Sequence, residues 1–250
     1  MNLFKLLLLI VISALFSSNT FAVETQITIR AKAVDAKFIG SSVGGLRVVV
    51  TDAETGEILD TGWIRGGTGS TDTIIKNPIT RGQSIADENT ARFVAKVDIS
   101  SPRLVKFTVL GPYAYRQSLQ EASITSWVIP GKDIMGDGLI LNMPGFIIDT
   151  WTSVMEGGIV QIFASSAMLC GCKISHNTQW NPRNFEAKAI IMRDGEKITE
   201  VDLPFTGPVA IFSGETKLED AGHYKVIAYI IDQKTGNVGV DRTIFEINSK

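Results

Sequence analysis

Residues 45–64, GLRVVVTDAETGEILDTGWI, decide how the rest of the chain is read. Apolar and polar side chains alternate on both sides of a short polar break, as they do in strands with one wet and one dry face. The break, Asp52-Ala53-Glu54-Thr55-Gly56, has the chemistry of a tight connection, and Gly56 can take the positive φ that closes it. The same period continues outward on both sides. TQITIRAKAV precedes it, and ARFVAKVDI, RLVKFTVLG, EASITSWVI and GLILNMPGF follow a long polar loop at 65–90.

A second set of strands begins near Gly157 with GIVQIFASSA and continues through FEAKAIIM, KITEVDL, VAIFS, LEDAGHYKVIAYII and VGVDRTIFEI. Its last turn, Asp232 to Gly236, repeats the Asp-x-x-Thr-Gly order of the first. No stripe of helical period appears after residue 22, and no repeat is short enough for a solenoid. The expected fold is all-β, two β-sandwich domains in series, spanning 23–150 and 151–250, with the junction in PGFIIDTWTSVMEGG.

The opening MNLFKLLLLIVISALFSSNTFA carries a basic residue, an apolar run from Leu6 to Phe16, and small side chains at Thr20 and Ala22. This is the pattern of a cleaved secretory signal peptide over residues 1–22, its apolar run too short for a comfortable membrane span. The expected location is periplasmic or secreted, with no membrane span after cleavage. The remaining 228 residues hold 23 Lys and Arg against 26 Asp and Glu. That balance supplies no basic field for nucleic acid or anionic lipid.

LEDAGHYKV at 218–226 resembles the tyrosine-corner segment of immunoglobulin-like domains through Asp220, Gly222 and Tyr224. With the tail YKVIAYIIDQKTGNVGV, residues from about 157 to 250 are similar to bacterial immunoglobulin-like modules. Val226 stands where an antibody domain carries a cysteine, so the resemblance implies a sandwich held by packing. The first set, through GLRVVVTDAETGEILDTGWI and PRLVKFTVLG, resembles the prealbumin-like sandwich of carboxypeptidase-regulatory-like modules. Such modules imply spacers, adhesion elements or carriers of small binding sites, and any role must still be argued from a site.

The candidate site is SAMLCGCKISHNTQW at 166–180, which holds both cysteines of the chain. In an extended chain, Met168, Cys170 and Cys172 share one face, and His176 folds back beyond a turn. Two thiolates, a thioether and an imidazole suit copper, or zinc. The alternative is a local Cys170–Cys172 disulfide, with Gly171 bending the backbone, in a structural or adhesive module. A periplasmic thiol-redox pair is a third reading, although no thioredoxin-like pattern surrounds it. The expected partners are accordingly a metal ion, or an exported or cell-surface protein or glycan.

Lesser features read as structural. Asp133 and Asp137 flank a glycine-bent loop without the full spacing of a calcium loop. RGGTGSTD lacks the lysine of a phosphate loop, and His223 is expected to face outward. Trp63, Trp127, Trp151 and Trp180 are expected in core packing, with a sugar- or peptide-binding face as the alternative. No nucleophile elbow or HExxH helix is visible, so a non-catalytic protein is expected.

Overall fold

The computed structural model describes residues 21–207 and 209–248. The secretory-signal reading of residues 1–22 therefore lies almost entirely outside the described residues.

Among the described residues, fourteen strands form four sheets. The first seven are β1 Val23–Ala33, β2 Leu46–Asp52, β3 Ile58–Ile64, β4 Phe93–Ile99, β5 Arg103–Gly111, β6 Gln120–Val128 and β7 Ile134–Met143. They make a three-stranded sheet in the order β4-β1-β7 and a four-stranded sheet in the order β3-β2-β5-β6. All pairings are antiparallel except β1 with β7. The alternation seen in sequence is the reason for the layers. Val48 and Val50 on β2 and Val105, Phe107 and Val109 on β5 are fully buried, and they meet Ile27, Ile29 and Ala31 of β1 in one core.

The other seven are β8 Phe146–Val154, β9 Ile159–Met168, β10 Glu186–Arg193, β11 Glu196–Asp202, β12 Ile211–Lys217, β13 Gly222–Asp232 and β14 Asn237–Ile247. Their sheets run β12-β9-β8 and β11-β10-β13-β14, all antiparallel. The molecule is thus all-β, built of β-sandwich layers. The stretch 144–158, read as a junction, is mostly β8, which pairs with β9 along its whole length. The 150/151 boundary falls inside that strand, and only Pro144 and Gly145 separate β7 from β8.

Two turns repeat one construction. In the first, Asp52 Oδ1 accepts the Glu54 and Thr55 amides at 2.9 Å each, and the Gly56 amide donates to the Asp52 carbonyl at 2.9 Å. In the second, Asp232 Oδ1 accepts the Lys234 amide at 2.9 Å and the Gly236 amide closes onto the Asp232 carbonyl at 2.8 Å. Gly56 and Gly236 sit at φ 77° and 74°, a region closed to most side chains. The corner before β13 is equally local: Tyr224, 3% exposed, donates its hydroxyl to the Asp220 carbonyl at 2.8 Å. That bond is the tyrosine corner that the resemblance implied.

The 65–90 loop is less free than its polarity suggests. Asp72–Lys76 form one helical turn that buries Ile74, and the Asp137 carboxylate accepts the Ile85 and Ala86 amides and the Ser84 hydroxyl.

Candidate functional site

The extended chain assumed for residues 168–172 is not what forms. β9 ends at Met168, the backbone turns through Leu169 and Cys170, and Gly171 takes φ 78°. The Gly171 amide donates to the Met168 carbonyl at 2.7 Å, and the Met168 amide donates to the Cys172 carbonyl at 3.0 Å. This bend draws the two cysteine Cα atoms to 5.4 Å, inside the range a disulfide needs, and Cys170 and Cys172 are bonded to each other. An extended strand would hold them about 6.6 Å apart. Both cysteines are therefore spent in the bridge, and no cysteine is free.

The remaining proposed ligands stand apart from it chemically. Met168 is fully buried in the core, where its thioether packs as a hydrophobe. His176 is exposed and meets the Phe205 ring edge-on, with centroids 5.2 Å apart. Among the described residues no group of three or more His, Cys, Asp or Glu could hold a metal ion. The sulfur-and-imidazole constellation thus resolves into a closed loop, a core methionine and a surface histidine.

What the loop touches gives it a role. At Gly171 a β-carbon would fall 2.8 Å from Val43 Cγ1, so only glycine lets this loop close onto the short turn Ser41–Val43 of the first seven-strand unit. Nearby, the Trp180 indole donates to the Asp35 carbonyl at 2.9 Å. Asn237, fully buried, accepts the Gly145 amide at 3.0 Å and donates to the Val34 carbonyl at 3.0 Å. The disulfide loop is one of several contacts that fasten the two strand sets together. Burial, with the Asp232 carboxylate adding to it, raises the Asp35 carboxyl above its usual range.

The other sequence candidates separate as follows. Asp133 accepts the Gln26 amide of β1 at 2.8 Å, while Asp137 holds the 84–86 loop, so each ties its turn to a distant segment. Burial works against the Asp137 charge, yet the bonds from Ser84, Ile85 and Ala86 keep its carboxyl below the usual range. The side chain of His223 is 86% exposed. Core packing accounts for Trp180 alone. Trp127 and Trp151 are exposed and Trp63 is half-buried, lying on outer sheet faces beside Leu104, Phe163 and Arg47 respectively. Trp151 stacks on Phe163 at 5.4 Å and Trp63 meets Tyr113 edge-on at 4.8 Å.

The strand order β12-β9-β8 over β11-β10-β13-β14 and the tyrosine corner agree with an immunoglobulin-like sandwich in the second strand set. No family model matches the chain, and no curated protein matches it. One solved structure with a similar course is the chicken interferon gamma receptor alpha chain, a selenomethionine form. It is 9% identical, aligned over 91% of this chain and 98% of that one, with a TM-score of 0.36.

Proposed function

We propose that the chain is an exported, non-catalytic structural or adhesive protein. Its second module is of the bacterial immunoglobulin-like kind, and its cysteine pair fastens it to the first. The observation that carries this reading is the seating of Gly171, inside the disulfide ring, against Val43. A closed ring keeps a short loop in the one shape that fits its neighbour, which is a mechanical role. A disulfide also agrees with an oxidising compartment and so supports export. The partner would be a cell-surface protein or a glycan held on outer faces and loops, where tryptophans already stand exposed.

The test uses protein purified from the exported fraction without chelators after growth with copper and zinc. Thiol titration and metal content are read on the same sample. The expected result is no free thiol, no stoichiometric metal, and a compact particle by small-angle scattering that loosens when both cysteines are replaced by alanine. About one copper or zinc per chain, lost in that variant, would overturn this reading in favour of a soft-metal site at Cys170 and Cys172.

A further inference from the structure

The outer face of the β11-β10-β13-β14 sheet is more apolar than a solvent-facing sheet requires. Ile190, Ile227 and Tyr229 are half-buried at its middle, and Val238, Val240 and Ile244 are exposed, Ile244 to 79%. The outward positions of β12-β9-β8 differ. There Asp149, Ser153, Gln161, Ser165 and Glu215 surround the single Trp151–Phe163 stack. An apolar face of this kind on a folded chain marks an interaction surface.

Its charges differ from one side to the other. On β10 and β11, Glu186, Glu200 and Asp202 surround the Lys188 ammonium at 3.3, 3.5 and 3.6 Å, Glu200 also pairs with Lys197 at 2.6 Å, and the three carboxylates outnumber the two ammonium groups. On β13 and β14, Lys225 and Arg242 point outward, and among the described residues neither forms an ion pair or a side-chain hydrogen bond. The register places four residues in one row across the sheet: Glu200, Ile190, Ile227, Arg242. Read from either end with the molecule turned over, that row is complementary to itself, acid over base and isoleucine over isoleucine.

We propose that this face binds a second copy of the chain, through a two-fold axis lying in the interface along the strands between β10 and β13. Arg242 of each copy then lies over Glu200 of the other, and Ile227 over Ile190. This is the isologous arrangement a symmetric dimer demands, and it lets two sheets pack with their strands nearly aligned. Size permits it. Four strands of seven, eight, eleven and eleven residues, about 4.8 Å apart and rising about 3.4 Å per residue, give a face of roughly 600 Å². Stable interfaces cover about 600–1,000 Å² per partner, so this face reaches the lower end of that range.

The exported full-length chain is followed by sedimentation equilibrium over a range of concentration and salt, with circular dichroism confirming the fold of each variant. The expected result is a species of twice the chain mass, weakened by salt. Arg242→Glu, an exposed substitution, is expected to weaken dimerisation at least tenfold by setting acid over acid. Adding Glu200→Arg to that variant restores opposite charges and is expected to recover most of the loss. A monomer at every concentration up to about 1 mM overturns the proposal. So does a dimer indifferent to Arg242→Glu, or a folded double variant that fails to recover. A monomer that instead captures an acidic protein through Lys225 and Arg242 also overturns it, since the occupant is then not a second copy.

Discussion

The Ser118 hydroxyl accepts the backbone amide of Ile148 at 3.1 Å, with both residues buried. Ser118 closes the short turn Arg116–Ser118 of the first strand set, and Ile148 lies on β8 at the outer edge of a sheet of the second. Gln117, from the same turn, donates to the Ile148 carbonyl at 3.0 Å. One residue of the edge strand is thus satisfied from outside its own sheet. Ser118→Ala leaves a buried amide unpaired and is expected to cost about 1–3 kcal/mol. Urea denaturation followed by tryptophan fluorescence measures it, and a loss below the error of that method would show that water replaces the hydroxyl.

Removing the cysteine ring acts through the unfolded chain. The chain-entropy relation for a three-residue loop gives about 1.6 kcal/mol. Cys170→Ala with Cys172→Ala is expected to lower stability by about that amount and to leave circular dichroism unchanged. Equal denaturation midpoints for the variant and the parent would show that the bend at Gly171 is held by packing alone.

Gly171→Ala asks more of the same loop. The left-handed φ of 78° costs an alanine about 1–3 kcal/mol. The new methyl must also displace Val43. The variant is expected to be less stable than the double cysteine variant, and Val43→Ala is expected to recover part of the loss by making room. Independent, additive effects at residues 171 and 43 would contradict the contact.

Acid sensitivity is expected from Asp52. Its carboxylate is held down to about 2 by the Thr55 amide first and the Arg103 guanidinium next. The folded value lies below the ordinary one near 3.9, so this stabilisation is fully present above pH 4 and is lost as pH falls toward 2. Asp52→Asn is expected to lower stability at neutral pH and to flatten its fall between pH 4 and 2. The Asp35 carboxyl, shifted the other way, predicts the opposite sign: Asp35→Asn is expected to be more stable than the parent at neutral pH and level with it near pH 3. Thermal melts across pH 2–7 read both.

Much of the layering was legible because a strand with one dry face must alternate, and almost every run with that period is a strand here. The two Asp-x-x-Thr-Gly turns and the Tyr224 corner were legible for a related reason: each is closed by bonds within about five residues. β8 was hidden by its punctuation. Pro144-Gly145 before it and Gly157-Gly158 after it look like linker chemistry, although FIIDTWTSV between them is rich in β-branched and aromatic residues. The fate of the cysteines turned on one backbone angle at Gly171, which spacing alone leaves open. The outward tryptophans were missed because period two separates a strand's faces without saying which one a second sheet will cover. Likewise, nothing local to Gly171 or Trp180 announces Val43 or Asp35, each more than a hundred positions away.

The side-chain caps on β8 have one more consequence. An edge strand with open amides and carbonyls is a template on which other chains can polymerise. At Ile148 that template is occupied by Ser118 and Gln117, and at Thr150 the amide donates to the Asp241 carboxylate at 2.7 Å. A fragment beginning at Phe146 would keep the Asp241 cap and lose the other two. The first strand set is therefore a guard as well as a neighbour: proteolytic release of the second would bare the Ile148 edge and favour fibrillar aggregation of a module whose edge is covered there in the whole chain.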